Sequence, residues 1–331
     1  MAAGVSGVLD LADRKYLGVF LVNRRRRNVG LLAIVVTALL WGTTGTAATF
    51  APEAGPLAVG AAALGIGGLL QAVIALPALR VAAPHLRANL GQVLLGAGAV
   101  AIYPLAFYSS MHLAGVAVGS VLSLASAPLA SGVLEWVIDR RPLSRWWMLA
   151  SGLGVLGSVL LCVSKLQGPT TDLLPMLAGI GLGLLAGITY ATYSWVVHGL
   201  LQQGVSRGAA MGSVFGLGGA LLMPVLLVTG APLVQSGQAF AVGAYMALVP
   251  MFLGYVLFGF GLTRVSASTA TTVTLLEPAV ATVLAVLIVG ERLGSLGWLG
   301  LGVLALVLGI LVLAPANDAP LQSRELAMRR E

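Results

Sequence analysis

The sequence predicts an all-α membrane protein in which ten transmembrane helices form two inverted five-helix repeats around a central cavity. Three observations support this prediction: an apolar composition, basic residues confined to alternate loops, and a weak internal repeat. Of the 331 residues, 58% are hydrophobic and 9% are charged, and the mean hydropathy is +0.99. Because soluble domains carry about 25% charged residues, so few charges cannot cover a surface that faces water.

Each predicted helix corresponds to an apolar segment of about twenty residues, the length that crosses a hydrocarbon core about 30 Å thick. The first five segments are residues 29–50, 56–79, 90–109, 115–138 and 146–163. The second five are residues 173–201, 208–229, 239–262, 266–289 and 296–314. We therefore expect one five-helix repeat over residues 29–163 and an inverted one over residues 173–314. The ends, residues 1–28 and 315–331, are expected to be tails.

Basic residues fall on one side of the predicted bundle. With ten spans both termini lie on the same side, and all but two of the 18 Lys and Arg residues fall there. The two exceptions are Lys165 and Arg292. Since cytoplasmic loops are enriched in Lys and Arg, we expect both termini to be cytoplasmic and the protein to lie in the inner (plasma) membrane. The same rule explains the net charge of +7, so nucleic acid is not an expected partner.

The internal repeat is visible in short matches between the halves. Residues 39–44 (Leu-Leu-Trp-Gly-Thr-Thr) resemble residues 184–189 (Leu-Leu-Ala-Gly-Ile-Thr), and Pro128 and Pro278 occupy equivalent places later in each half. Because five spans are an odd number, the second copy must be inverted in the membrane. Inverted repeats around a site near the bilayer midplane are typical of secondary transporters.

Several motifs carry a resemblance to a known family. They are Trp41-Gly-Thr in the first span, Leu276-Glu-Pro-Ala-Val in the ninth, and then Gly290-Glu-Arg-Leu and Gly297-Trp-Leu-Gly. Together they resemble a drug/metabolite transporter of the EamA type, over nearly all of residues 29–314. The chain is similar, within that group, to the bacterial aromatic amino-acid exporters.

That resemblance implies ten helices with both ends in the cytoplasm. It also implies a central cavity lined by helices one to four and six to nine, with helices five and ten at the periphery. The first half departs from the family pattern, because Ala127 stands where Glu277 stands in the second half. Any role of Glu277 is therefore not shared between the halves.

Glu277 is the only ionisable side chain that the prediction places near mid-membrane, and Pro278 beside it removes a backbone donor. A carboxyl group in hydrocarbon must face protein or a wet cavity. It is then either a site for a substrate amine or a proton, or a neutral group that bonds carbonyls freed by Pro278. Pro128 and Pro278 are candidate hinges of alternating access, or simple kinks. Glu135 is expected to reach an interfacial arginine.

The other candidate cavity residues are aromatic or hydroxylated. Such a lining suits a neutral or zwitterionic molecule with an apolar body. The candidates are Trp41, Thr43, Thr44, Tyr103, Ser123, Ser126, Tyr190, Tyr193, Ser194 and Tyr255. We expect the cavity to lie between Trp41 and Tyr190. Because Tyr and Trp also form belts at membrane interfaces, we expect Tyr108, Trp195 and His198 to belong to a belt or to packing instead.

We therefore predict an exporter of small metabolites, with aromatic or hydrophobic amino acids as first substrates and drugs, nucleobases and neutral metabolites as alternatives. The first span contains no acid for proton coupling, so facilitated diffusion is also open. The nearest cation to the cavity, Arg264, lies at a helix end, which disfavours strongly anionic substrates. An intramembrane enzyme would need a His deep in the bundle, and His198 lies near a span end. We expect no enzyme activity, cofactor or metal, and, given short loops and a repeat within one chain, a monomer; a channel is the remaining alternative.

Overall fold

The computed structural model describes residues 25–114, 116–165, 173–284, 286–287 and 294–313. These residues form ten long helices with short connections, and this part of the chain contains no β-strand. Residues 1–24 of the first predicted tail and all of the second lie outside the described residues. The whole Gly290-Glu-Arg-Leu motif also lies outside them.

The ten helices match the ten predicted spans. The first five are α1 (Arg25–Ala48), α2 (Pro56–Ala88), α3 (Leu90–Ala114), α4 (Val116–Val137) and α5 (Arg145–Lys165). The second five are α6 (Leu173–Gln202), α7 (Arg207–Thr229), α8 (Gly237–Leu262), α9 (Ala267–Leu284) and α10 (Ser295–Leu313). Within the described residues, 9 helices are long and apolar enough to cross a membrane; the tenth, α5, has 21 residues and packs along α10.

The largest difference from the prediction is α2, which continues beyond residue 79 to Ala88. Its last turn carries His85 and Arg87, whose side chains favour the negative end of a helix dipole. The helix therefore extends past its apolar segment, even though Pro84 lies inside it.

Serine side chains fix where several helices begin. A serine oxygen at the N-cap accepts an N–H group that has no partner within the first turn. Four helices start in this way, α5, α7, α8 and α9, with the caps Ser144, Ser206, Ser236 and Ser266. Residues 204–208 read Gly-Val-Ser-Arg-Gly, the spacing of a serine nucleophile motif, but here that serine, Ser206, is a helix cap.

Two helices are irregular where they cross the core. Residues Ala61–Ile66 of α2 and Ala247–Leu253 of α8 are π-helical, and the two segments contact each other. π-helical turns are frequent at functional sites. Side chains bind two backbone carbonyls within the α8 segment: Trp41 Nε1 donates to Pro250 O at 2.9 Å, and Gln71 Nε2 donates to Phe252 O at 2.8 Å.

Helix pairing in the two halves follows one pattern. Equivalent helices of the two halves pack on each other: α2 on α7, and α5 on α10. In a second pairing, α4 of the first half packs on α6 of the second, and α9 of the second half correspondingly packs on the end of α1 of the first. Gly42 and Gly187, which the sequence repeat aligns, make the second pairing possible. A Cβ at Gly42 would lie 2.6 Å from the Val280 side chain, and one at Gly187 would lie 2.7 Å from Ser123 O. The predicted fold class, an all-helical bundle of two related halves, is confirmed.

Arginine residues mark one end of the bundle, which we call the basic end. They lie where α1, α5 and α7 begin and where α2, α4 and α8 end; examples are Arg25, Arg87, Arg141, Arg145, Arg207 and Arg264. Arg264 stacks over the Phe260 ring with its guanidinium carbon 3.6 Å from the ring centre. Partial burial, followed by the nearby positive charge of Arg207, lowers the pKa of the Arg264 guanidinium below its ordinary value. Arg264 thus belongs to the basic end and does not line the cavity described next.

Candidate functional site: a ring-walled cavity with one carboxyl group

A narrow cavity of about 20 Å³ lies among α1, α2, α3, α8 and α9. Its polar lining residues are Trp41, Thr44, Tyr103, Tyr108, Tyr255 and Glu277. Because Thr44 is near the end of α1 and Gly60, which also lines it, is near the start of α2, the cavity occupies the half of the bundle away from the basic end. It is narrow in this conformation, wide enough for water and too narrow for a metabolite.

Aromatic rings from four helices meet at the inner end of this cavity. Trp41 of α1 lies at the centre, with ring centroids 4.8 Å from Tyr255 and 6.0 Å from Tyr190, and Tyr103 lies 5.6 Å from Tyr190. The sequence therefore identified side chains that do come together. The expected position of the cavity is wrong, however. The rings of Trp41 and Tyr190 contact each other edge to face, so the space lies beside Trp41, toward Thr44 and Glu277.

Tyr190 and Tyr193 form a layer between the cavity and the basic end. Both side chains are fully buried. The Tyr190 hydroxyl lies 2.8 Å from Thr274 Oγ1, and the Tyr193 hydroxyl lies 2.7 Å from the Tyr255 hydroxyl. Because each phenol oxygen already has a partner, these two tyrosines close the floor of the cavity in this conformation.

Glu277 projects into the cavity from α9 and is 8% exposed. Its Oε2 atom is buried and has no hydrogen-bond partner among the described residues. The carbonyl that Pro278 leaves without its helical donor, Thr274 O, instead accepts the Glu277 backbone N–H at 2.9 Å. The alternative in which the carboxyl group bonds that carbonyl is therefore not what the structure shows, and the carboxyl group remains available to a ligand.

Three other predicted residues lie away from the cavity. Thr43 Oγ1 lies 2.7 Å from the Tyr245 hydroxyl and also donates to Leu40 O. Ser123 and Ser126 of α4 donate to carbonyls of their own helix, where α4 packs against α6. These hydroxyl groups support helix packing rather than the cavity wall.

Ser194 and the two candidate hinge prolines have different surroundings. Ser194 Oγ is buried in α6 with no partner among the described residues. Pro128 lies inside a continuous α4. The ninth helix, in contrast, is interrupted by a turn at residues 274–275, directly before Glu277 and Pro278. Only the second-half proline is therefore associated with a break in its helix.

Sequence reasoning missed part of the cavity wall. Tyr108, expected in an interfacial belt, lines the cavity together with Phe107, Met251 and small residues of α2 such as Ala63. The four-residue spacing of Tyr103 and Phe107 places both on one face of α3 and was a usable signal. The α2 contribution had no such signal, because Gly and Ala are frequent in every span.

The remaining candidates close the basic end. Glu135, for which an arginine partner was expected, instead directs both carboxylate oxygens to Ser268. His198 Nδ1 lies 3.0 Å from Leu262 O, and Trp195 Nε1 donates to Asp139 Oδ2 at 3.1 Å. Within the described ranges, no three His, Cys, Asp or Glu side chains are grouped as they would be around a metal ion.

Comparison with known proteins gives one family. The EamA-like transporter family matches residues 28–163 and again residues 177–314. An uncharacterized transporter of Bacillus subtilis (strain 168), YwfM, is 35% identical over 296 residues, which cover 87% of this chain and 95% of that protein. A protein of known crystal structure resembles the fold with a TM-score of 0.64 at 19% identity, covering 88% of this chain and 97% of that one.

Proposed function

The chain belongs to the EamA-like transporter family, and from this premise we propose that it exports aromatic and other hydrophobic amino acids by alternating access. The family makes it a multi-pass membrane transporter of small molecules. We place it in the inner membrane with both termini in the cytoplasm, because arginines are concentrated at the end where the first helix begins. We propose a monomer, because both repeats lie within one chain.

The observation that carries the proposal is the composition of the cavity wall. One carboxyl group, Glu277, faces aromatic rings and hydroxyl groups, and the described residues that line the space include no Lys, Arg or His. Rings offer large apolar contact area and a favourable face for cations. A molecule with an ammonium group and an aromatic body matches this wall, whereas a phosphorylated molecule would need cationic partners.

An aromatic amino acid has a complementary group for each part of the wall. Its ammonium group pairs with Glu277, and its ring packs against Trp41 and Phe107. Its carboxylate accepts hydrogen bonds from Tyr103 and Tyr108, whose side chains line the same space. Because the cavity is narrow, binding requires these rings to move apart.

The fold supports alternating access in a specific way. The cavity lies in the half away from the basic end, and the Tyr190–Tyr193 layer separates it from that end. Two related halves permit a second arrangement in which the closed and open ends exchange roles. In the proposed cycle, cytoplasmic substrate reaches Glu277 when α9 separates from α4 at the basic end.

A second candidate substrate class is aromatic amines, including cationic drugs. The lone carboxyl group favours this class, because the ammonium group of an amine pairs with Glu277 and the molecule has no other charge. An amino acid also has a carboxylate, which only hydroxyl groups of the cavity wall would bind. Both classes carry an ammonium group and an aromatic ring, so the cavity wall alone does not distinguish them. Flux measurements with tryptophan and tryptamine do.

The test is flux through the purified protein in liposomes. Labelled tryptophan is expected to exchange across the membrane with saturation, and unlabelled phenylalanine and tryptamine are expected to compete. Uracil, which has neither an ammonium group nor a benzene ring, is expected to compete poorly. A protein that exchanges neither tryptophan nor tryptamine above protein-free liposomes would contradict the proposal.

A further inference from the structure

We propose that Glu277 is a shared site for a proton and for the ammonium group of the substrate, so that the cavity holds one or the other and transport is proton exchange. The inference rests on the proposed function, since it concerns how the same cavity binds its substrate. Membership of the EamA-like family does not by itself specify a coupling ion, and the inference identifies the proton as that ion.

The isolation of Glu277 is the first argument. Oε2 is buried and has no donor among the described residues. Among the described residues, the titratable groups that face it are the phenols of Tyr103 and Tyr108 from α3, Tyr190 from α6 and Tyr255 from α8. The α1 helix contributes Trp41 and Thr44, which carry no charge. No side chain in this set can neutralise a carboxylate.

Charged and titratable groups on the other helices packed against α9 lie at helix ends. At the basic end they are Glu135 and Asp139 at the end of α4, Arg145 at the start of α5 and His198 of α6, and in α10 the described residues include no Asp, Glu, Lys, Arg or His. Lys165 ends α5 on the opposite side, eleven residues beyond Gly154, which packs against Leu275; this spacing corresponds to about 16 Å along a helix. Glu135 binds Ser268, nine residues before Glu277, which corresponds to about 14 Å along a helix. Among the described residues that line the cavity, Glu277 is therefore the only charged one.

Charge balance is the second argument. A buried carboxylate without a partner is costly, so the empty cavity holds the protonated carboxyl group. When the ammonium group of an amine such as tryptamine binds, the carboxyl proton leaves to water and the ammonium takes its place, so the cavity keeps no net charge; with zwitterionic tryptophan, its carboxylate adds one negative charge, which the Tyr103 and Tyr108 hydroxyl groups bind in the proposed mode. The amine itself stays protonated, because alkylammonium groups titrate near pH 10.4.

The repeat supplies the third argument. The position equivalent to Glu277 in the first half is Ala127, which is fully buried. Each molecule therefore has one such carboxyl group, and the exchange is one proton for one ammonium group. A carrier with a carboxyl group in both halves would not be held to this ratio.

Four indole compounds separate the inference from the proposed function. Tryptamine carries an ammonium group, tryptophan an ammonium group and a carboxylate, indole-3-propionate a carboxylate, and tryptophol neither. In the wild-type protein in weakly buffered detergent, a pH dye should report the release of up to about one proton per tryptamine bound and none per tryptophol bound. The inference would be overturned if tryptamine bound and no proton were released at every pH tested, from acidic to alkaline.

Substitution gives an independent measurement. Glu277→Gln keeps the volume and removes the charge, so the ratio of the tryptophol Kd to the tryptamine Kd should fall about ten- to hundredfold, the worth of a hydrogen bond to a charged group. Glu277→Asp, which keeps the charge, should retain much of the ratio and serves if the Gln variant does not fold. Glu53→Gln, the same change at an exposed site, should leave the ratio unchanged.

The outcomes separate cleanly. If wild-type protein binds tryptophol and tryptamine equally well, or if Glu277→Gln keeps the preference for tryptamine, the inference fails and the exporter proposal stands. If wild-type protein neither binds nor moves any of the four compounds, the proposed substrate class fails. Loss of the tryptamine preference in Glu277→Gln, together with proton release in the wild type, supports both.

Discussion

The carboxylate of Glu135 on α4 accepts two hydrogen bonds from Ser268 in the first turn of α9, from the backbone N–H at 2.8 Å and from Oγ at 2.7 Å. Glu135 is 6% exposed, and a carboxylate at a helix N-terminus is stabilised by the dipole as well as by the N–H group. This contact joins the first half of the chain to the second at the basic end. It is therefore a latch on the side from which the proposed substrate enters.

Replacing Glu135 with Ala should favour opening at the basic end, because both hydrogen bonds across the halves are lost. We expect the population of the open form to rise at least about tenfold, since each hydrogen bond to a charged group contributes about 1.5–3 kcal/mol. The measurement is the labelling rate of Ser131→Cys, a buried site on α4 near Thr271, by a membrane-impermeant maleimide. Asp139→Asn, at an exposed site one turn further on, keeps an oxygen that can accept the Trp195 Nε1 hydrogen and should change the rate little. Equal labelling in the Glu135→Ala and wild-type backgrounds would count against the latch.

Trp41→Phe should destabilise the protein while keeping an aromatic ring in place. The substitution removes the donor that binds Pro250 O at 2.9 Å and also reduces the volume of a buried side chain. The expected loss is about 1–3 kcal/mol, measured as a lower midpoint of thermal unfolding in detergent. Trp136→Phe is the control, because Trp136 is 61% exposed on the bundle surface. A smaller loss at Trp41 than at Trp136 would disprove the structural role of this hydrogen bond.

Gly42→Ala and Gly45→Ala compare two glycines on the same helix. A Cβ at Gly42 would lie 2.6 Å from Val280, whereas a Cβ at Gly45 would meet nothing within 4 Å. Gly42→Ala should therefore separate α1 from α9 and lower stability by about 1–3 kcal/mol. Gly45→Ala should be neutral or slightly stabilising, since Ala favours the helix by up to about 1 kcal/mol. Thermal unfolding of the pair decides, and equal midpoints would show that the close approach of α1 to α9 is not required.

Tyr103→Phe should distinguish substrates that carry a carboxylate from those that do not. The Tyr103 hydroxyl is one of the donors that the proposed binding mode gives to an amino-acid carboxylate. Its loss should raise the Kd of tryptophan several-fold, by about 1 kcal/mol, and affect tryptamine much less. Tyr193→Phe is a useful comparison, because that hydroxyl binds Tyr255 in the floor and should affect both compounds alike. An equal change for tryptophan and tryptamine in Tyr103→Phe would refute this placement of the carboxylate.

Local signals made the helices predictable. The apolar length of each segment is read directly from the sequence, and the ten predicted spans follow from it. Glu277 was also predictable, because a charge inside an apolar segment is rare. What could not be predicted is depth within the core. Helical spacing places Tyr190 and Tyr193 on one face of α6, but only the packing of α1, α3 and α8 against that face makes them a floor rather than a wall.

The proton-exchange inference also fixes how much charge each transport cycle moves. Exchange of one proton for tryptamine, a cation, moves no net charge, whereas exchange of one proton for zwitterionic tryptophan moves one positive charge with the proton. A membrane potential that is negative on the side receiving protons should therefore accelerate tryptophan efflux and leave tryptamine efflux unchanged. The measurement uses liposomes with a potassium gradient and valinomycin, and a pH gradient of the same size should drive both compounds. Equal sensitivity of both fluxes to potential would show that the proton and the ammonium group do not compete for Glu277.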